Sequence, residues 1–290
     1  MAPLKTIYFN DENFPPLLKQ IPNAPEKIFV LGDEAVLNNN LNIAIVGTRK
    51  ASLAGRNLAR KFAKELTDMG IIVVSGLAMG IDSAAHEGTV QNKGKTIAVL
   101  ANGLDKIYPA QNENLASEIL KNNGVLISEY EPGLPSLPHQ FLERNRIISG
   151  LCVATIVIEA PERSGSLATA RLAAEQGREV FVVPGPSSDV NYSGSHKLIR
   201  DGARLASSIK DIFEDLDIEI TENKNKEEKI FDINDPEKKQ IVNILIEAGE
   251  PLAVDKIAHL TKLEPQTINQ KVAFLVIEGI IKETEKGYVI

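Results

Sequence analysis

Phe141-Leu142-Glu143-Arg144-Asn145-Arg146 places two guanidinium groups around an amide, just after an aromatic ring. Guanidinium groups grip phosphate, and an aromatic ring stacks on a base. Together they hold single-stranded nucleic acid without sequence preference. Arg144 and Arg146 are two residues apart and cannot share one helix face. One is therefore assigned to phosphate and the other to holding loops, with Phe141 as a stacking platform. The alternative is that one arginine is solvated and the other makes a structural salt bridge with Glu129 or Glu159. Arg163-Ser164-Gly165-Ser166 precedes a helical run. It reads as an anion-binding turn at a helix N-terminus, with Thr169 one turn further on. The alternative is that Ser164 or Ser166 is merely the N-cap. Asn191-Tyr192-Ser193-Gly194-Ser195-His196-Lys197 is another glycine turn. Lys197 is expected in the first turn of the following helix, where it opposes the helix dipole and so favours a nearby anion.

Catalytic constellations are thin. Asp82 and His86 are four residues apart on one helix face, and such a pair could orient a base. No local signature marks a serine or cysteine nucleophile. The competing assignment has Asp82 charging the helix N-terminus while His86 packs and bonds to a loop. His139, His196 and His259 lack metal-ligand spacing, so no metal is expected. Gly94-Lys95-Thr96 is not a P-loop: Gly88 is one residue too far upstream, and the triplet enters a strand rather than leaving one. Gly47-Thr48-Arg49-Lys50-Ala51-Ser52 puts arginine where a dinucleotide fingerprint needs its second glycine. No nicotinamide, flavin or other cofactor is expected.

The elements that carry these groups alternate. Apolar strands at Ile43–Val46, Ile71–Val74, Thr96–Leu100, Val153–Ile158 and Glu179–Val183 end in glycine-, serine- or arginine-containing loops. Helices are expected at Ala54–Met69, Ile81–Gln91, Gln111–Asn122, Phe141–Gly150, Leu167–Gln176 and Ser195–Asp201. This is the pattern of an α/β protein with a doubly wound, mostly parallel sheet. Its ligand edge lies outside the carboxyl ends of the strands. Residues 1–40 read as an irregular lead-in with one short strand at Lys27–Leu31. Residues 41–216 form the α/β domain and 217–234 a charged linker. Residues 235–290 suggest a small winged helix, with helices at Pro236–Ala248, Val254–Leu260 and Pro265–Glu278 and a terminal hairpin. Leu198, Ile199 and Ile212 are one candidate interface and equally candidate core.

The chain has 290 residues, 43% of them hydrophobic and 24% charged, with a net charge of −7. Nineteen bases balance nineteen acids over residues 41–215, whereas residues 216–290 carry −5. Every arginine lies between Arg49 and Arg204, which places any anion site in the middle domain. The single cysteine, Cys152, excludes an intramolecular disulfide and reads as buried packing. No run spans a bilayer and no signal peptide is evident, so a reducing cytoplasm is the expected compartment.

In order along the chain, several motifs resemble the DNA-processing protein A (DprA/Smf) family. They are Gly47-Thr48-Arg49, Ser75-Gly76-Leu77-Ala78-Met79-Gly80-Ile81-Asp82 with His86, Gly103-Leu104-Asp105 with Tyr108-Pro109, and Ser128-Glu129. Arg144-Asn145-Arg146-Ile147-Ile148, Ser164-Gly165-Ser166-Leu167 and Pro184-Gly185 continue the series. The resemblance covers about Ile43–Leu216. It implies an extended Rossmann-like fold that binds single-stranded DNA without catalysis. It also implies a homodimer that loads the RecA recombinase during natural transformation. The DNA-binding residues it implies, together with the pattern above, are Gly47, Thr48, Arg49, Ser52, Phe141, Arg144, Asn145, Arg146, Ser164, Gly165, Ser166 and Thr169. Ala110 and Pro138 stand where relatives carry lysine, and Lys106 or Lys197 could substitute. The last helix carries only Lys271 as a base, so the C-terminal segment is expected to contact protein or mimic DNA rather than read a duplex. Two other functions fit parts of the pattern. One is a nucleoside-monophosphate-cleaving enzyme of the lysine-decarboxylase-like group. It needs a glutamate where Arg171 stands, and Glu175 is the nearest acid. The other is a nucleotide sensor with the C-terminal module as output.

Overall fold

A computed structural model describes residues 3–218, 235–248, 251–277, 280–284 and 287–289. Contacts divide the chain into two units, Met1–Asn223 and Lys224–Ile290. Residues 219–234 of the expected linker lie outside the described residues.

In the first unit, β1 (Lys5–Tyr8), α1 (Pro16–Lys19), β2 (Lys27–Gly32), β3 (Asn42–Gly47), α2 (Leu53–Asp68), β4 (Ile72–Ser75) and α3 (Ile81–Gln91) come first. Then follow β5 (Thr96–Leu100), α4 (Glu113–Lys121), β6 (Val125–Ser128), α5 (Pro138–Gly150), β7 (Ala154–Ile158) and α6 (Gly165–Glu175). The unit closes with β8 (Glu179–Val182), α7 (Ser193–Arg200), β9 (Arg204–Leu205) and α8 (Ile209–Asp215). The sheet order is β1-β2-β6-β5-β4-β3-β7-β8-β9. All neighbours from β6 to β9 are parallel, and β1 and β2 add antiparallel at one edge. The fold is α/β, Rossmann-like and doubly wound.

Burial explains the elements. β4, β5, β6 and β7 are buried at every position, as expected of strands covered by helices on both faces. In α2, Ala59, Phe62, Ala63 and Leu66 are buried at helical spacing, and Ser52 caps its start by accepting from the Gly55 N–H at 2.9 Å. Leu198 and Ile212 are core residues on opposite faces of the sheet, and Ile199 packs beside Leu198. The apolar stretch weighed as an interface is thus core. Cys152 is fully buried, which raises its thiol pKa by desolvation.

Residues 1–40 are not a separate lead-in. The strand expected near Lys27–Leu31 is β2, and β1, which was not expected, pairs with it. Only Ile7 of β1 is buried, so an edge strand of this kind carries almost no apolar period.

The direction of winding reverses once. From β3 the chain steps outward through β4 and β5 to β6, and α5 then carries it back to β7 on the other side of β3. The carboxyl ends of β3 and β7 therefore flank a topological switch point, where Gly47 pairs in register with Ile158. A Cβ on Gly47 would overlap the Ile158 carbonyl oxygen, which explains glycine there.

The second unit has α9 (Pro236–Ala248), α10 (Val254–Thr261), α11 (Pro265–Ile277) and a hairpin of β10 (Lys282–Thr284) and β11 (Gly287–Val289). Ile241, Leu245, Ile257, Ile268, Val272 and Leu275 form its core, and Leu252 bridges to Tyr288 beside the hairpin. Lys271 Nζ lies 2.6 Å from Asp235 and 3.0 Å from Glu237, so its charge is already matched.

Candidate nucleic-acid interface

A cavity of about 640 Å³ opens at the switch point. Its walls are the loop after β3 (Gly47, Thr48, Arg49, Lys50), one stripe of α5, and the turn into α6 (Arg163, Ser164, Gly165, Ser166, Thr169). Tyr108 and Asp82 complete it.

Helix α5 starts at Pro138, a residue pre-set for a first helical position, rather than at Phe141. The added turn sets Phe141, Arg144, Asn145 and Ile148 along the stripe that lines the cavity. Arg146 falls on another face. It pairs with Glu129 at 2.6 Å and donates to the Asn23 carbonyl at 3.0 Å. Of the two arginines, Arg146 is therefore the one that holds loops together.

Arg144 is 4% exposed. Its Nη1 donates to the carbonyls of Gly76 and Val99, and its Nε donates to Asn145 Oδ1 at 3.3 Å. Asn145 in turn donates to the Gly165 carbonyl at 3.4 Å, tying α5 to the start of α6. Burial lowers the Arg144 pKa to about 10, so it remains charged at neutral pH, helped by the field of Asp82. Burial raises the Asp82 pKa, opposed by Arg144 and by the Gly76 N–H at 3.1 Å.

At the rim, the Arg49 guanidinium sits 4.9 Å from the Phe141 ring centroid, within cation–π range. The Tyr108 ring lies 5.6 Å from Phe141 at 57°. Arg49, Lys50 and Arg163 are exposed and make no ion pair among the described residues. Asp82 is the one carboxylate lining the cavity among the described residues. The cavity is thus rich in cations, with an aromatic lip.

At α6, Ser164 accepts from the Ser166 N–H at 3.3 Å, and the two hydroxyls are 2.6 Å apart. Ser164 is therefore the N-cap, and the same turn lines the cavity. Gly165 faces open space, so ligand can approach its backbone.

Four expected site residues lie elsewhere. Ser52 is held by Glu159, which accepts from its N–H at 2.8 Å and from its hydroxyl. Lys106 and Lys197 are exposed and do not line the cavity. Helix α7 begins at Ser193, so Lys197 is in its last turn, where a cation complements the dipole rather than opposing it. Arg146 is the fourth. Lys50, Tyr108 and Arg163 also line the cavity; they stand within quoted motifs, Arg163 in the anion-binding turn itself, but are not among the residues expected to bind DNA. Their place inside those motifs was the available signal. Glu159 was missed as a strut. Its buried carboxylate binds the β3–α2 loop, and its carbonyl accepts from the Thr48 N–H at 2.8 Å.

The Asp82–His86 pair is structural. His86 is fully buried, with Nδ1 2.8 Å from Thr96 Oγ1, and the Thr96 hydroxyl donates to the Val73 carbonyl at 2.6 Å. Nδ1 therefore donates to Thr96. Desolvation lowers the His86 pKa to about 3. In the unfolded chain His86 takes a proton below about pH 6.5, while in the fold it stays neutral down to about 3. Its contribution is complete above pH 6.5 and is lost as pH falls through that window. Replacing His86 by glutamine is expected to remove a slope of about 1.4 kcal/mol per pH unit from the parent's stability between pH 6 and 4. Urea unfolding across pH measures it, and an unchanged slope would assign the acid sensitivity to other groups.

Glu175, the acid nearest to a base-releasing catalyst, ends α6. A helix of that length rises about 15 Å, so Glu175 is far from the turn at Ser164–Ser166. No cluster of three or more His, Cys, Asp or Glu suited to a metal ion occurs among the described residues. No helix among them is long and apolar enough to cross a membrane.

Fold and cavity together define a Rossmann-like protein with a cation-lined, aromatic-lipped cavity at its switch point. The chain belongs to the DNA recombination-mediator protein A family, whose sequence profile matches residues 5–217. The DNA processing protein DprA of Bacillus subtilis is 42% identical over 213 residues, covering 73% of this chain and 71% of that protein. Protein Smf of Escherichia coli is 43% identical over 207 residues, covering 71% of this chain. The aligned part is about half the length of that relative, 55%. DNA processing protein A from Streptococcus pneumoniae superposes with a TM-score of 0.69 at 40% identity, covering 73% of this chain and 74% of that one. The Helicobacter pylori DNA processing protein A, a structure concerned with its single-stranded DNA binding mode, gives 0.67 at 31% identity, covering 74% and 96%.

Proposed function

We propose that this protein binds single-stranded DNA at the switch-point cavity, holds it without chemical reaction, and delivers it to the RecA recombinase in natural transformation. The observation that carries this is the meeting, in one cavity, of exposed cations without carboxylate partners and the Tyr108–Phe141 pair. Phosphate is assigned to Arg49, Arg144, Thr48 and the Ser164–Ser166 turn with Thr169. A base is assigned to the Phe141 face. Such contacts are indifferent to sequence and strong on an unstacked strand, because a duplex keeps its base faces covered. The recombinase partner is supported by the family's character as a recombination mediator. We further propose a homodimer, which light scattering of the full chain tests.

The three helices and hairpin of the second unit are read as a winged helix. With Lys271 paired to Asp235 and Glu237, its last helix has no free base for phosphate. We assign this module to protein contact.

The test is fluorescence anisotropy of labelled oligo-dT over a salt series, with duplex of equal length as competitor. Binding is expected to favour the single strand and to weaken with salt, with a log–log slope of about −0.7 per phosphate neutralised. Equal competition by duplex, or a flat salt response, would refute the assignment.

A further inference from the structure

The cavity holds more anion-binding capacity than a phosphate inside a DNA strand uses. A phosphodiester carries one negative charge, whereas a phosphomonoester carries about 1.5 to 2 near neutral pH. Arg49, Lys50, Arg144 and Arg163 line the cavity against Asp82 alone, and Asp82 is itself engaged by the Gly76 N–H. Two of the donors belong to side chains set almost wholly into the cavity wall. Arg144, 4% exposed, has Nε and Nη1 occupied, while Nη2 has no acceptor among the described residues. Thr169, 2% exposed, lines the cavity one turn inside α6, and its hydroxyl has no partner among the described residues. Neither donor is committed to another group among the described residues, so both are open to an anion that enters the cavity. The volume, about 640 Å³, is that of a small-molecule site rather than of a groove that only tracks a backbone.

We propose that the cavity selects a nucleotide bearing a phosphomonoester over one whose phosphates are all diesters. This rests on the cavity being the DNA site and deepens it. The same chemistry has two sources, the phosphorylated end of a single strand and a free nucleoside monophosphate. In either case the monoester sits at the α6 turn, within reach of Thr169 and Arg144, and the base lies toward Phe141.

The experiment uses the full chain and three oligo-dT probes of equal length, each labelled at an internal base. One has hydroxyls at both ends, one a 5′-phosphate and one a 3′-phosphate. Thymidine monophosphate and thymidine serve as competitors. One phosphorylated probe is expected to bind about tenfold tighter than the hydroxyl probe, or thymidine monophosphate to displace the probes where thymidine does not. The first result identifies strand ends as the source and the second the free nucleotide. The preference is expected to shrink between pH 7.5 and 5, as the monoester with its second pKa near 6 takes up a proton. The ionisable groups lining the cavity are Arg49, Lys50, Asp82, Tyr108, Arg144 and Arg163, and all three probes meet them alike. Thr169→Val is expected to lower affinity for the phosphorylated probe more than for the hydroxyl probe. Equal affinities with no displacement by thymidine monophosphate would overturn the inference while leaving DNA binding in place. Failure of every probe and competitor to bind would overturn both.

Discussion

Replacing Arg49 by alanine is expected to weaken oligo-dT binding about ten- to a hundredfold. The guanidinium sits at the mouth of the cavity over Phe141, and no carboxylate among the described residues neutralises it. A hydrogen bond to a charged group contributes about 1.5–3 kcal/mol, and each 1.4 kcal/mol is roughly tenfold in affinity. The salt slope should also become shallower by about one contact's worth, roughly 0.7. Arg49 is exposed, so the folded state should be almost unaffected. The measurement is the same anisotropy titration at two or more salt concentrations. Affinity within twofold of the parent would move the DNA path away from the β3 loop.

Arg144→Leu carries the second large effect, and here stability falls with binding. The substitution strips hydrogen bonds from the Gly76 and Val99 carbonyls, which are buried with it. It also leaves Asp82, 7% exposed, without the positive field that offsets its burial. Removing one partner from a buried charged arrangement typically costs about 3–5 kcal/mol. Loss of Arg144 should raise the Asp82 pKa further, so the variant's fold holds a proton that the unfolded chain releases above about pH 4. The deficit should therefore be larger at pH 7 than at pH 5. Urea unfolding at both values tests this. A loss below about 1 kcal/mol, comparable to a surface change, would show that the buried Arg144 hydrogen bonds contribute little to the fold. Gly76 belongs to the same arrangement, since a Cβ there would lie 2.6 Å from Arg144 Nη1.

Much of the fold was legible because its strands and helices have strong periods. The runs at Thr96–Leu100 and Ile81–Gln91 occur as expected. Strands without a period of their own were harder. β1 buries one side chain, and β9 is two residues long. Both exist because a neighbouring strand supplies hydrogen-bond partners, which no local pattern records. The lining of the candidate site was legible where a motif occupies one loop, as at Gly47–Arg49 and Ser164–Ser166. It was misjudged where a cation's role depends on what folds against it. Lys197 was placed in the wrong turn because α7 begins two residues earlier than its glycine pattern suggested.

The sequence by itself determined the strand–helix alternation, the loops that gather at one sheet edge, and the confinement of arginine to the middle of the chain. These depend on side-chain type at near-neighbour spacing, so they can be read along one line of residues. Only the tertiary structure decided which charges are committed to the fold and which face the cavity. Arg146 meets Glu129 from 17 residues away, Arg144 meets Gly76 from 68, and Ser52 meets Glu159 from 107. Those pairings follow from strand order, in which β3 lies beside both β4 and β7. Strand order is set by how all the apolar faces are buried together, so no local segment contains it.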